Sequence, residues 1–237
     1  MGLFNFRKTK RANNSAELAL DSEDTESKIT ASPDFWIEGD LLVKYYGKSK
    51  GVEIPNGVKI IGDYAFGGNN DIETVSMPDS VTEIRARAFS DCEHLKTVNF
   101  SKNLKLIGEY AFHKCNSINK FDFPMSLKAI EKHAFMSCIG MTQLELSDSV
   151  SSIGVGAFVG CVNLERIKLP SNLKSIPPYS FQNCYRIQFV YLPDSVESIG
   201  DCAFRYCSNL ERVASSRGFS SLRRGHEAFY GCSKLIR

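Results

Sequence analysis

Apolar and polar residues alternate in short bursts that return at a fixed interval. In the stretch 163–170, Leu164, Ile167 and Leu169 are apolar, and Arg166 and Lys168 interleave with them. This is the alternation of a strand buried on one face. Pro170 removes a ladder donor and closes the strand. Ser171-Asn172 then predicts a turn, as do Asn56-Gly57, Asp79-Ser80 and Asp194-Ser195 elsewhere. A second apolar pair follows, such as Val81 with Ile84 or Val196 with Ile199. An Ala-Phe-x-x-Cys segment completes the unit. It is long enough for one helical or 3-10 turn that points Phe and Cys to one inward face.

The unit repeats every 23 residues. Phe66, Phe89, Phe112, Phe135, Phe158, Phe181 and Phe204 mark one column, and Cys92, Cys115, Cys138, Cys161, Cys184 and Cys207 mark a second. Phe229 and Cys232 continue both columns after a step of 25, so that unit holds a two-residue insertion. The first unit has Asn69 in the cysteine column. Gly62, Gly108, Gly154, Gly200 and Gly225 recur four residues before the Phe, where a bend is expected. No unit can bury its apolar face alone, whereas stacked units can, each Phe resting on the next. The expected fold class is α/β: a right-handed solenoid, rich in parallel strand, with short helical or 3-10 turns.

The unit Leu-x-x-Ile-x-Leu-Pro-x-x-Val-x-x-Ile-x-x-x-Ala-Phe-x-x-Cys resembles the 23-residue leucine-rich repeat of BspA-like surface proteins. The resemblance covers about residues 35–237. The segment 35–47 also resembles the hairpin that opens such arrays, with Glu38-Gly39-Asp40 as its turn between two alternating runs. Residues 35–51 are therefore expected to be an N-terminal capping hairpin, and 52–237 an eight-unit leucine-rich-repeat array. The resemblance implies an adhesin or host-protein binder outside the cell.

Composition narrows this little. With 43% hydrophobic and 24% charged residues, the chain has the make-up of an ordinary folded protein. A net charge of +2 argues for neither nucleic acid nor membrane binding. No stretch approaches the roughly 18 apolar residues of a membrane span. Residues 1–34 read as a flexible charged tail: Arg7, Lys8, Lys10 and Arg11 are basic, and Asp21, Glu23, Asp24 and Glu26 acidic. The apolar patch at the start, Leu3 to Phe6, is too short for a secretory signal, and its basic residues follow it. Met1-Gly2 begins a myristoylation motif, but Phe6 stands where Ser or Thr is wanted. The expected location is cytoplasmic, with the cell surface or non-classical secretion as the alternative.

Catalytic chemistry finds little support. Cysteines pointing the same way in successive rungs are expected to be reduced core residues rather than disulfides. Cys202 and Cys207 form C-x4-C without a CxxC or a histidine pair, which argues against zinc. His94, His113, His133 and His226 fall at varying repeat positions, as on a solvated face. Gly47-Lys48-Ser49 mimics the end of a phosphate-binding loop, but Leu42 stands where its first glycine would be. Neither a cofactor nor a metal is expected.

The residues interleaved with the buried pair form two outward columns. One reads Thr74, Thr97, Lys120, Gln143, Arg166, Phe189, Arg212; the other reads Ser76, Asn99, Asp122, Glu145, Lys168, Tyr191, Ala214. Early rungs are small and polar. Later ones place Phe189 and Tyr191 between Arg166 and Lys168 on one side and Arg212 on the other. Exposed aromatics with arginine have the composition of interface hot spots. These five residues are the expected binding site for a protein ligand on the concave sheet. A structural spacer without a specific ligand is the alternative, and an enzyme comes third.

Overall fold

The computed structural model describes residues 33–216, 218 and 221–236. The expected tail falls almost wholly outside the described residues. From Pro33 onward the chain winds into about eight coils, numbered here by their phenylalanines from Phe66 in coil 1 to Phe229 in coil 8. Each regular coil contributes a three-residue strand, such as Thr74–Ser76 in coil 1 and Thr97–Asn99 in coil 2, paired in parallel and in register. Each also contributes a two-residue strand, such as Ile60–Ile61, Glu83–Ile84 and Leu106–Ile107, paired likewise on a second sheet. At the N-terminal end Phe35–Glu38 pairs antiparallel with Leu41–Tyr45, and Leu41 and Leu42 then pair in parallel with Ile60 and Ile61.

The core is a continuous aromatic column. Successive rings from Phe66 to Phe229 stack nearly parallel, with centroids 4.7 to 5.6 Å apart. Tyr45 of the hairpin lies on Phe66 at 5.1 Å and Phe35 on Tyr45 at 4.9 Å, so the column extends into the first strands. Phe100, Phe121 and Phe123 form a second aromatic cluster. It meets Phe112 and Phe135 edge-on, and all three ring positions lie in coils 2 and 3.

Among the described residues the expected helical or 3-10 turns do not form at the phenylalanine corner, so the α/β assignment is replaced by a parallel β-solenoid. In every coil the residues two before and two after the Phe have left-handed backbones. Arg87 (φ 56°) and Asp91 (φ 60°) flank Phe89, and Tyr110 (φ 54°) and Lys114 (φ 57°) flank Phe112. Left-handed residues cannot continue a right-handed helix. They turn alternate peptide groups towards the neighbouring coil instead. Phe89 N–H donates to Ala111 O at 2.8 Å, with Arg87 and Asp91 donating to Glu109 and His113 on either side. The intervening Ala88, Ser90 and Cys92 close local turns onto residues three back. Three inter-coil bonds per corner thus replace one helical turn.

The cysteine column satisfies a backbone group at this corner. Each Sγ, from Cys92 to Cys232, donates to the carbonyl of the preceding coil's Phe at 3.0 to 3.3 Å. Asn69 does the same from coil 1, its Nδ2 donating to Gly47 O at 3.1 Å. All eight cysteines are buried and none forms a disulfide. Burial pushes the Cys92 and Cys138 thiols up to about 12. Native protein is therefore expected to resist thiol reagents at neutral pH, with all eight thiols reacting on denaturation. A thiol count below eight in denatured, unreduced protein would show a native bridge and sink this assignment.

Both ladders are interrupted between coils 5 and 6, and the three-residue ladder also between coils 2 and 3. The two-residue strands Ser152–Ile153 and Ser175–Ile176 belong to different sheets, and so do the three-residue strands Arg166–Lys168 and Phe189–Tyr191. Pro177 accounts for the first break. In other coils the residue at this point donates its N–H one coil back, as Gly154 does to Ile130 O and Gly200 to Ile176 O, both at 2.8 Å. Proline has no N–H to give to Ile153. The Phe corner remains closed across the same coils, with Phe158 N–H on Ser180 O at 3.0 Å.

Candidate functional site

The three-residue strands turn their central residues inward and their outer two to solvent. Val75, Leu144 and Val190 are buried, and the residues flanking each face out. Strand alternation therefore fixes where the predicted site residues go. Arg166 and Lys168 flank Ile167 on the coil-5 strand, Phe189 and Tyr191 flank Val190 on the coil-6 strand, and Arg212 starts the coil-7 strand Arg212–Ala214. All five are exposed, Phe189 by 54% and Tyr191 by 58%. Parallel register sets Phe189 beside Arg212 and Tyr191 beside Ala214. The Arg212 guanidinium lies 5.9 Å from the Phe189 ring centre, at the edge of cation–π range.

The electrostatics of this face change along the array. In the first coils the cations are paired: Lys50 and Lys96 both reach Glu73 at 2.7 Å, and Lys120 reaches Asp122 at 3.0 Å. The two ammonium groups hold the Glu73 carboxyl down at about 2, through hydrogen bonds first and charge second. Among the described residues no carboxylate lies within 4.0 Å of Arg166, Lys168 or Arg212. Arg186, one column away, is paired with Glu165 at 3.1 Å.

The break between coils 5 and 6 opens the same face. A cavity of about 510 Å³ lies there, with Ile167, Leu169 and Pro193 lining it and Lys168, Tyr191 and Asp194 around it. Ile167 is only half-buried, whereas Val75, Leu144 and Val190 in the same column are closed off from solvent. Sequence reasoning missed this cleft. Pro177 marks the break in the two-residue ladder at the same junction, but it does not line the cleft.

Elsewhere the structure gathers groups that were scattered in sequence. Ser90 Oγ donates to Asp91 Oδ2 at 2.6 Å and lies 3.3 Å from His113 Nδ1, which is itself 3.8 Å from Asp91 Oδ2. Serine and aspartate both address the same imidazole nitrogen, so the histidine cannot relay a proton between them, and Ser90 is buried. Burial, outweighing Asp91, holds His113 below the usual imidazole range. Alongside, Arg87 stacks on Tyr110 at 4.5 Å and His133 stacks on the same ring at 4.8 Å. His133 is also held low, by burial first and Lys132 second. These contacts link successive corners, so the solvated face expected for the histidines is half-packed in coils 3 and 4. No group of three or more metal-ligating side chains occurs among the described residues, and no described helix is long and apolar enough to cross a membrane.

Coils of parallel strand around a phenylalanine ladder, with a varied outward column on each strand, define a leucine-rich-repeat solenoid. The chain belongs to the BspA-type leucine-rich-repeat family, whose profile matches residues 44–138 and 128–236 in 6 copies. Among solved structures it is similar to a leucine-rich-repeat protein from T. pallidum, with a TM-score of 0.70 and 29% identity over 87% of this chain and 90% of that one. It is also similar in fold to one from Bacteroides ovatus, with a TM-score of 0.67 and 23% identity over 83% of this chain and 64% of that one. No curated protein sequence matches the chain.

Proposed function

We propose that this protein is a protein-binding module, adhesin-like as its family suggests, whose contact surface is the three-residue-strand face of coils 5 to 7. One observation carries the reading: Phe189 and Tyr191 stand more than half exposed on a single strand, among the cations Arg166, Lys168 and Arg212, none of which has a carboxylate within 4.0 Å among the described residues. Aromatic and arginine side chains at the centre of a patch dominate binding energy in protein interfaces. The surface is open and its titratable groups diverge, which suits docking of a partner better than enclosure of a reacting substrate. Buried thiols facing carbonyls suit a reducing or an oxidising compartment equally, so the reading does not depend on location.

The test is capture of a partner with the intact chain as bait, followed by titration with variants. Phe189→Ala with Tyr191→Ala is expected to weaken the complex by about 2 kcal/mol or more. Because both side chains are exposed, the thermal transition should stay within about 0.5 kcal/mol of wild type. A partner that binds the double variant with wild-type affinity would place the site elsewhere.

A further inference from the structure

We infer that the cleft between coils 5 and 6 takes an apolar anchor residue from an extended acidic polypeptide segment, an inference that rests on the binding reading of this face. Three independent observations converge on that occupant. The first is shape: both ladders fail between coils 5 and 6, and a cavity of about 510 Å³ lies there, within the range of ligand-sized sites. The second is the floor. Ile167 and Leu169 are core-column residues, and Ile167 keeps solvent exposure that its neighbours in the column, Leu144 and Val190, lose. An aliphatic or aromatic side chain entering here would complete the burial that the missing strand pairing left undone.

The third is charge. Lys168 stands at the cleft, with Arg166 beside it on the strand and Arg212 two coils on, and none of the three has a carboxylate within 4.0 Å among the described residues. Of the surrounding acids, Glu145 lies in register beside Lys168, and two others are held in hydrogen bonds. Asp148 accepts Ser171 N–H at 2.7 Å, and Asp194 is bonded by the Ser216 hydroxyl. Elsewhere on this face the protein supplies its own counter-ions, through Glu73 and Asp122. Around Arg166, Lys168 and Arg212 no such close pair forms among the described residues, and a partner's acids would supply it. Complementary potential governs which partner docks and how fast.

The anchor and the charges are also correctly disposed for one segment. Tyr191 borders the cleft and its outward neighbour in register is the small Ala214, so a chain lying across the strands meets no bulky side chain beyond the ring. Its apolar residue would sit against Tyr191, and acidic residues on either side would meet Arg166 and Lys168 in one direction and Arg212 in the other.

The probe is a fluorescein-labelled peptide with one central leucine flanked by glutamates, read by fluorescence anisotropy on the full chain. Two control peptides replace the leucine by alanine or every glutamate by lysine. Each control is expected to bind about tenfold more weakly or worse, and added salt should weaken the acidic peptide. Lys168→Glu together with Arg166→Glu should reverse the preference towards the lysine peptide, with an unchanged thermal transition showing that the variant folds. Equal binding of the leucine and alanine peptides would overturn the anchor. Preference for the lysine peptide that Tyr191→Ala abolishes would overturn the acidic partner while keeping the face as a binding surface. Acidic-peptide binding that survives Tyr191→Ala and the charge reversal would remove both readings. No saturable binding of any peptide up to about 1 mM would overturn the inference alone.

Discussion

Phe135→Ala is expected to destabilise the fold by about 3–5 kcal/mol, a large part of the stability of a domain this size. Phe135 is wholly buried and stacks between Phe112 and Phe158 at 5.4 and 5.5 Å. Unlike Phe158, whose ring partners are Phe135 and Phe181, it also meets Phe121 at 4.7 Å and Phe123 at 5.5 Å. Truncation there opens a void at the junction of the two aromatic clusters. Coil spacing is fixed by hydrogen bonds on both sides, Phe135 N–H donating to Ala157 O and Phe112 N–H to Ala134 O, so the void cannot easily collapse. Denaturant unfolding followed by far-ultraviolet circular dichroism gives the cost. A loss below about 1.5 kcal/mol would mean that neighbouring rings refill the space and that the ladder is not a close-packed core.

A second large effect is expected from Gly154→Val. An added Cβ at Gly154 would lie 2.4 Å from Lys132 N and 2.5 Å from Glu131 C, both backbone atoms of the preceding coil. Backbone cannot rotate aside as a flexible side chain can, so the coils must separate. The expected loss is about 3 kcal/mol, at the upper end for overpacking. Gly39→Ala is the contrasting case. Gly39 is left-handed at φ 59° with nothing within 4 Å of its missing Cβ, so its cost is conformational alone, roughly 1 kcal/mol. If both variants unfold at the same denaturant concentration, close coil approach is not what Gly154 provides.

That comparison revises the sequence reading of the glycine column. Gly62, Gly108, Gly154, Gly200 and Gly225 were expected where the chain bends, yet none of them has a left-handed backbone. Each instead rests on the backbone of the coil before it; an added Cβ at Gly108, for instance, would lie 2.8 Å from Ile84 O. Residue identity marked the position correctly and the reason wrongly. The solenoid itself was legible because Phe and Cys recur at one period and are the groups that pack. The corner was misread because its left-handed positions show no common residue type: the one before each Phe holds tyrosine, arginine, histidine, glycine, cysteine and glutamate in different coils. Inter-coil hydrogen bonds hold those backbones, and they are invisible to local propensity. The outward placement of Phe189 and Tyr191 followed from simple alternation. The cleft beside them did not, since it arises from pairing that fails between two strands whose own sequences look regular.

The missing N–H of Pro177 also bears on cooperativity. In a repeat array, stability is close to a sum of unit terms and nearest-neighbour couplings, and long-range cooperativity lasts only while every coupling is strong. Coil 5 is joined to coil 4 by both ladders and to coil 6 by neither, leaving the phenylalanine corner and side-chain packing to transmit order across that junction. The array is thereby divided energetically into a longer N-terminal block and a shorter C-terminal one, with their boundary at the cleft. Partial opening at such a boundary is cheaper than global unfolding. A ligand bridging Arg166 and Arg212 would add a coupling where the chain supplies the least, and so would join two folding units into one.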